Sequence, residues 1–176
     1  VAEAERFLRE EAAAESRPWV QYVGLNSPHP RFAVERKYFD MYPLQNITMP
    51  RWKGGWPPDV HPVMAKFNYY NMFDVEPFGE ARIRRARAAY YGMITRMDEW
   101  IGRLIARLED SGELDDTIVI FTADHGEMLG EHGLWFKDNP YEEAARVPLV
   151  VAGGPFGPGR VDGPCSPVDL AATIIE

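Results

Sequence analysis

Between residues 80 and 110 apolar side chains recur at intervals of three and four: Ile83, Tyr90, Tyr91, Ile94, Met97, Ile101, Leu104, Ile105 and Leu108, with Arg87 in the same stripe. That is the repeat of a helix with one buried face, so the spacing predicts a helix over 80–110, ended by Ser111-Gly112. Acids and arginines occupy the other face, and the arginines between 82 and 87 read as a solvated surface rather than an anion site. Residues 1–16 mix Glu and Arg with Val1, Phe7, Leu8 and several alanines, which predicts a second amphipathic helix stopped by Arg17-Pro18.

Three runs carry the composition of strands. Residues 19–25 (WVQYVGL) are apolar, β-branched and aromatic. Residues 117–122 (TIVIFT) form a continuous β-branched run, which predicts a buried, parallel strand. Residues 146–152 (RVPLVVA) give a third strand with Pro148 near its start. Loops follow: 26–30 (NSPHP), where two prolines remove ladder donors, then the Gly-rich polar stretch 123–133, then the Gly/Pro-rich turn region 153–163. Residues 31–79 are broken by prolines 43, 50, 57, 58, 62 and 77. They are also rich in aromatics (Tyr38, Phe39, Tyr42, Trp52, Trp56, Phe67, Tyr69, Tyr70, Phe73), which argues for an irregular excursion packed on a larger body. It could wall a pocket or simply pack. The order of elements is α/β with a mostly parallel sheet, and such sheets take ligands beyond the carboxyl ends of their strands. His29 follows the first run, and Asp124 and His125 follow the second.

Composition narrows the class. Apolar residues make up 45% and charged residues 26% of 176, ordinary for a globular chain, and the formal charge of -8 gives no support for a nucleic-acid surface. No apolar run is long enough to span a membrane. Cys165 is the only cysteine, so no disulfide forms within the chain, and it reads as a buried or half-buried structural residue. Both ends read as cut. Val1 stands inside a helical pattern, and the helix opened by Ser166-Pro167 stops at Glu176 after barely two turns. The expectation is therefore one part of a larger catalytic domain.

The candidate chemistry lies at the loops. Asp124-His125 puts a carboxylate beside an imidazole directly after a strand, with Gly126 allowing a tight turn. That donor set suits Mg, Mn, Zn or Ca, with Ca the least imidazole-friendly, although on the residues alone a hydrogen-bonded turn is the commoner reading. His29, held between Pro28 and Pro30, can donate to an anionic oxygen or act as acid or base, or else bond a backbone carbonyl. Lys137 can face a sulfate or phosphate oxygen, or be an exposed loop lysine. Glu127 and Glu131 read as support around the site or as solvated groups, the stretch 130–133 with His132 as a second ligand, as support beside the site or as support of the loop itself, and Arg146 as loop support. No GxSxG elbow is present and no convincing nucleophile is found.

The stretch 122–151 (TADHGEMLGEHGLWFKDNPYEEAARVPLVV) resembles the sulfatase family of the alkaline-phosphatase-like superfamily, in the C-terminal part of its catalytic domain. The likeness also takes in Tyr91, Met97 and Asp98, Asp115-Asp116-Thr117, residues 26–30 and residues 166–173. It implies a partial alkaline-phosphatase-like sandwich. In it Asp124 and His125 would ligate one divalent metal (Ca, Mn or Mg). His125 stands where many members have Asn and a bacterial subset, including phosphonate monoester hydrolases and choline-sulfatase-like enzymes, has His. His29 and Lys137 would contact the transferring group. The nucleophile would be a formylglycine from a Cys/Ser-x-Pro/Ala-x-Arg motif upstream of this chain; Cys165-Ser166-Pro167 is not that motif. The implied activity is sulfate ester hydrolysis of a small anionic ester, with phosphate diester or phosphonate monoester hydrolysis and a non-catalytic remnant as alternatives. The implied partner is the remainder of the same domain, and the expected compartment is a bacterial cytoplasm or periplasm.

Overall fold

A computed structural model of the chain describes residues 1–14, 16–51, 61–63 and 79–175. Trp52, Trp56, Phe67, Tyr69, Tyr70 and Phe73, and with them the pocket-wall reading of the excursion, lie outside the described residues.

The organising element is a 32-residue helix, Glu80–Ser111, about 48 Å long at ~1.5 Å per residue. Three segments use its length. Near its C-terminal end sits α1 (Ala2–Glu10), where Leu8, Ala12 and Leu108 form a core edged by Phe7, Trp19, Leu104, Leu114 and Val119. Arg103 closes that contact with two bonds to the Glu5 carboxylate, 2.9 and 2.7 Å. Midway sits the short α2 (Arg36–Phe39), and the long helix becomes α3 in chain order. Here Gly92 matters: a Cβ would stand 3.2 Å from the Tyr38 backbone, so its absence lets α2 settle on α3. Tyr38 Oη then donates to Glu99 at 2.5 Å. Toward the N-terminal end, Arg84 donates to the carbonyls of Leu44 (3.1 Å) and Ile47, which anchors the 3-10 turn Leu44–Asn46. Gly112, at φ 75, terminates the helix in the left-handed region, as the Ser-Gly signal predicts.

After a 3-10 turn (Leu114–Asp116), β1 (Val119–Thr122) pairs with β2 (Leu149–Ala152), and the short α4 (Glu142–Ala145) precedes β2. The ladder is antiparallel, with Val119 opposite Ala152 and Thr122 opposite Leu149. The run 117–122 is thus half-buried and antiparallel to its neighbour rather than fully buried and parallel, because a β-branched run fixes strand formation and not the partner's direction. Residues 19–25 form no ladder among the described residues. They keep strand-like alternation, with Val20 77% and Tyr22 93% exposed between less exposed neighbours, but lack a pairing edge beside them. The C-terminal α5 (Val168–Ile175) is capped reciprocally: Ser166 Oγ accepts the Val168 N–H (3.3 Å) and Asp169 accepts the Ser166 N–H (3.3 Å). Cys165 is exposed, not buried, since it ends a Gly/Pro-rich segment with no core packed on it among the described residues. No helix among the described residues is long and apolar enough to cross a membrane.

Candidate active site

The antiparallel register sets the carboxyl end of β1 beside the start of β2, and Thr122 Oγ1 fastens this rim by donating to the Pro148 carbonyl at 2.8 Å. Two residues on, Asp124 projects an 88% exposed side chain. Its Oδ1 accepts the His125 N–H at 3.0 Å. His125 Nδ1 lies 2.8 Å from the Gly126 carbonyl oxygen, which can only accept, so Nδ1 carries a proton and, in the neutral ring, Nε2 presents its lone pair. That Nε2 stands 3.5 Å from Asp124 Oδ2. Two donors each about 2.0–2.3 Å from one divalent cation, at angles near 90–110°, are separated by roughly 2.8–3.8 Å. The carboxylate–imidazole pair therefore fits two adjacent positions of one cation. No group of three His, Cys, Asp or Glu side chains in ligand range exists among the described residues, so these residues offer a pair and not a closed shell. Gly126 is required by contact. Its N–H donates to the Ala144 carbonyl at 2.7 Å, and a Cβ would overlap the Glu143 carbonyl oxygen.

Residues 127–137 form a folded loop with unusual backbone. Leu129, His132 and Phe136 all have positive φ (46, 55 and 67) without being glycine, each at a cost of about 1–3 kcal/mol that surrounding contacts must offset. The offset comes from within. Met128 N–H donates to Phe136 O (2.9 Å) and Gly130 N–H to Leu134 O (2.8 Å). Glu127 Oε1 accepts the N–H groups of both Leu129 (3.1 Å) and Phe136 (2.7 Å). Beneath, Met128 is fully buried with Leu134 and Ala144 against Tyr141. Burial pushes the Glu127 carboxyl above the usual carboxylate range, while the two amides and the nearby His125 and Lys137 charges act the other way. Lys137 itself is half-buried and makes no ion pair among the described residues.

The surrounding residues brace this loop. The His132 ring stacks on Tyr141 with centroids 4.2 Å apart, and its Nε2 is 3.7 Å from Glu143 Oε2. Glu131 Oε2 accepts the Arg51 N–H at 2.9 Å, and its Oε1 lies 3.6 Å from Arg87 Nη1. Arg87 is buried, not solvated: it donates to Leu129 O (3.2 Å) and to Tyr91 Oη (3.3 Å), so α3 holds the loop through a charged side chain. Its place in the apolar stripe is the sequence signal for that burial. The Arg146 side chain is exposed.

His29 is exposed on its own loop, with its N–H on Asn26 O (2.9 Å) and Nδ1 2.8 Å from Pro30 O, so its Nε2 is the atom left to exchange protons. Arg96 ties this loop to α3 through Ser27 Oγ at 3.4 Å. Phe32 then packs edge-on to Tyr90 (5.6 Å) and lies 6.2 Å from both Trp135 and Phe136. Phe32 is three residues from His29, and Phe136 is one from Lys137, so one aromatic cluster brings the His29 and Lys137 loops side by side. Among the described residues no hydrogen bond or ion pair joins His29 to Asp124, His125 or Lys137. Sequence reasoning pairs Asp124 with His125 and reads Glu127 as support around the site or a solvated group, but it does not find the Phe32 cluster or the reach of Glu127 to Phe136.

The Sulfatase family profile matches residues 1–176. A choline-sulfatase of Rhizobium meliloti (strain 1021) is 39% identical over 176 residues, covering 97% of this chain and 33% of that protein. Arylsulfatase K of Xenopus laevis is 34% identical over 190 residues, covering 98% of this chain and 34% of that protein. Among solved structures, a phosphonate monoester hydrolase from Silicibacter pomeroyi superposes with a TM-score of 0.72 at 32% identity, over 85% of this chain and 31% of that one. The chain spans about a third of the length of the curated relatives it matches.

Proposed function

The chain belongs to the sulfatase family, with its partial alkaline-phosphatase-like α/β fold, and from that premise we propose that a longer polypeptide carrying it hydrolyses sulfate esters. Residues 1–176 are one part of a single catalytic domain and supply one wall of its active site. The observation that carries this reading is the lone pair of His125 Nε2 standing 3.5 Å from Asp124 Oδ2 at the end of β1.

These two atoms would hold a divalent metal, Ca, Mn or Mg, which when bound would supply Lewis-acid polarisation of an ester oxygen. Lys137 sets a point charge against the transferring group, where negative charge redistributes as the ester bond breaks. His29, with Nδ1 committed to Pro30 O, handles a proton at Nε2: as the imidazolium it donates to the departing oxygen. The nucleophile, a formylglycine, comes from outside this chain, and so do the remaining metal ligands. A small anionic ester fits such a group of one carboxylate, two imidazoles and one ammonium.

Phosphonate monoester or phosphate diester hydrolysis is the second reading. The likeness to the Silicibacter hydrolase favours it, as does His125 in the position where a subset of the family has His. Sulfate and phosphonate are both tetrahedral oxyanions, and the groups of this chain treat them alike. Steady-state rates of the full-length polypeptide on para-nitrophenyl sulfate, para-nitrophenyl phenylphosphonate and bis(para-nitrophenyl) phosphate separate the readings. The highest kcat/KM is expected on the sulfate. A preference for phosphonate or diester would transfer the assignment to the second reading, and no turnover of any ester would contradict both.

A further inference from the structure

Glu127 occupies a place that the chemistry proposed above does not use. It follows the Asp124-His125-Gly126 turn directly, yet its carboxylate reaches across the loop to the Phe136 N–H, nine residues on, at 2.7 Å, and accepts the Leu129 N–H at 3.1 Å with the same oxygen. The next residue, Met128, donates its N–H to Phe136 O at 2.9 Å. Both peptide groups of Phe136 are therefore fixed from residues 127 and 128, one of them the Phe136–Lys137 peptide itself. Phe136 needs that hold, since φ 67 is unfavourable for an aromatic residue. Upstream, Gly126 is bonded to Ala144, so the metal-pair end of the segment is anchored as well.

We propose that Glu127 is a positioning residue: its oxygen, acting as a hydrogen-bond acceptor, fixes the distance between the Asp124–His125 pair and the Lys137 ammonium. This rests on the reading of Lys137 as the anion-binding group. The role belongs to the placement of the oxygen and not to its charge, and two substitutions separate these. Glu127→Gln keeps an acceptor oxygen at the same reach and removes the charge. Glu127→Asp keeps the charge and withdraws the oxygen by one methylene.

In the full-length polypeptide, Glu127→Gln should stay within about threefold of the parent kcat/KM. Glu127→Asp should lose about 10- to 100-fold, as expected when a catalytic group is displaced by around 1 Å. In a Lys137→Ala background Glu127→Asp should cost nothing further, because the group it positions is gone. Hydrogen exchange of residues 128–137 should accelerate in Glu127→Asp and remain unchanged in Glu127→Gln. The reverse order of the two variants, or losses that multiply in the Lys137→Ala background, would overturn the proposal. So would unchanged exchange in Glu127→Asp. If Lys137→Ala itself leaves turnover intact, the reading of Lys137 fails, and the exchange rates still decide whether Glu127 holds the segment.

Discussion

Tyr90 reports on the same crowded region from the side of α3. Its ring packs against Phe32 and stands 6.4 Å from Tyr91, with the Glu127 charge nearby. Burial is the main reason its phenol is pushed up from 10.0 to about 12, and Glu127 and Tyr91 add to it. The fold therefore prefers the neutral phenol. The resulting contribution to stability is complete below the unfolded value near 10.0 and is lost as pH rises through the folded value of about 12. Phenolate absorbance of the full-length polypeptide, taken as the difference between the parent and Tyr90→Phe, should show one group titrating near the upper value. A difference curve centred near 10.0 would mean that the Phe32–Tyr90 contact does not exclude water.

At the scale of elements, α3 offers a matched pair of glycines. Gly102 lies inside the helix and Gly112 ends it at φ 75, and a Cβ at either would meet nothing within 4 Å. Conformational preference alone decides both cases. Gly102→Ala should stabilise by about 0.5–1 kcal/mol, and Gly112→Ala should destabilise by about 1–2 kcal/mol. Melting temperatures that move in opposite directions check this; a shift of the same sign in both would show that one glycine has an unrecognised neighbour. The helix and its end are legible in the sequence because periodicity and a Ser-Gly stop are local signals. The α5 cap is legible for the same reason. Strand direction is not, because TIVIFT carries no information about its partner, nor is it legible that 19–25, with strand composition, forms no ladder among the described residues. The site divides in the same way. Asp124 and His125 are neighbours in sequence and in space, and a chemist reads them directly. The apolar stripe marks Arg87 as buried, but its partner and that of Glu127 lie 42 and 9 residues away, which no local pattern encodes.

For the molecule as a whole, the described residues leave several apolar side chains in solvent: Ile118 48%, Val150 54%, Val168 82% and Ile175 85% exposed. Apolar surface of that kind before β1, on β2 and on α5 suits cover by further chain, in keeping with a match to about a third of each relative. The proposed chemistry has the same dependence, since the Asp124–His125 pair would bring two donors to a cation and other segments would supply the rest. The account stands on that pair. The direct measurement is the divalent-metal content of the purified full-length polypeptide beside its Asp124→Ala variant, with folding of both verified by a thermal melt. The account predicts a folded variant that has lost its stoichiometric metal; a folded variant that retains the parent's full metal content would contradict it.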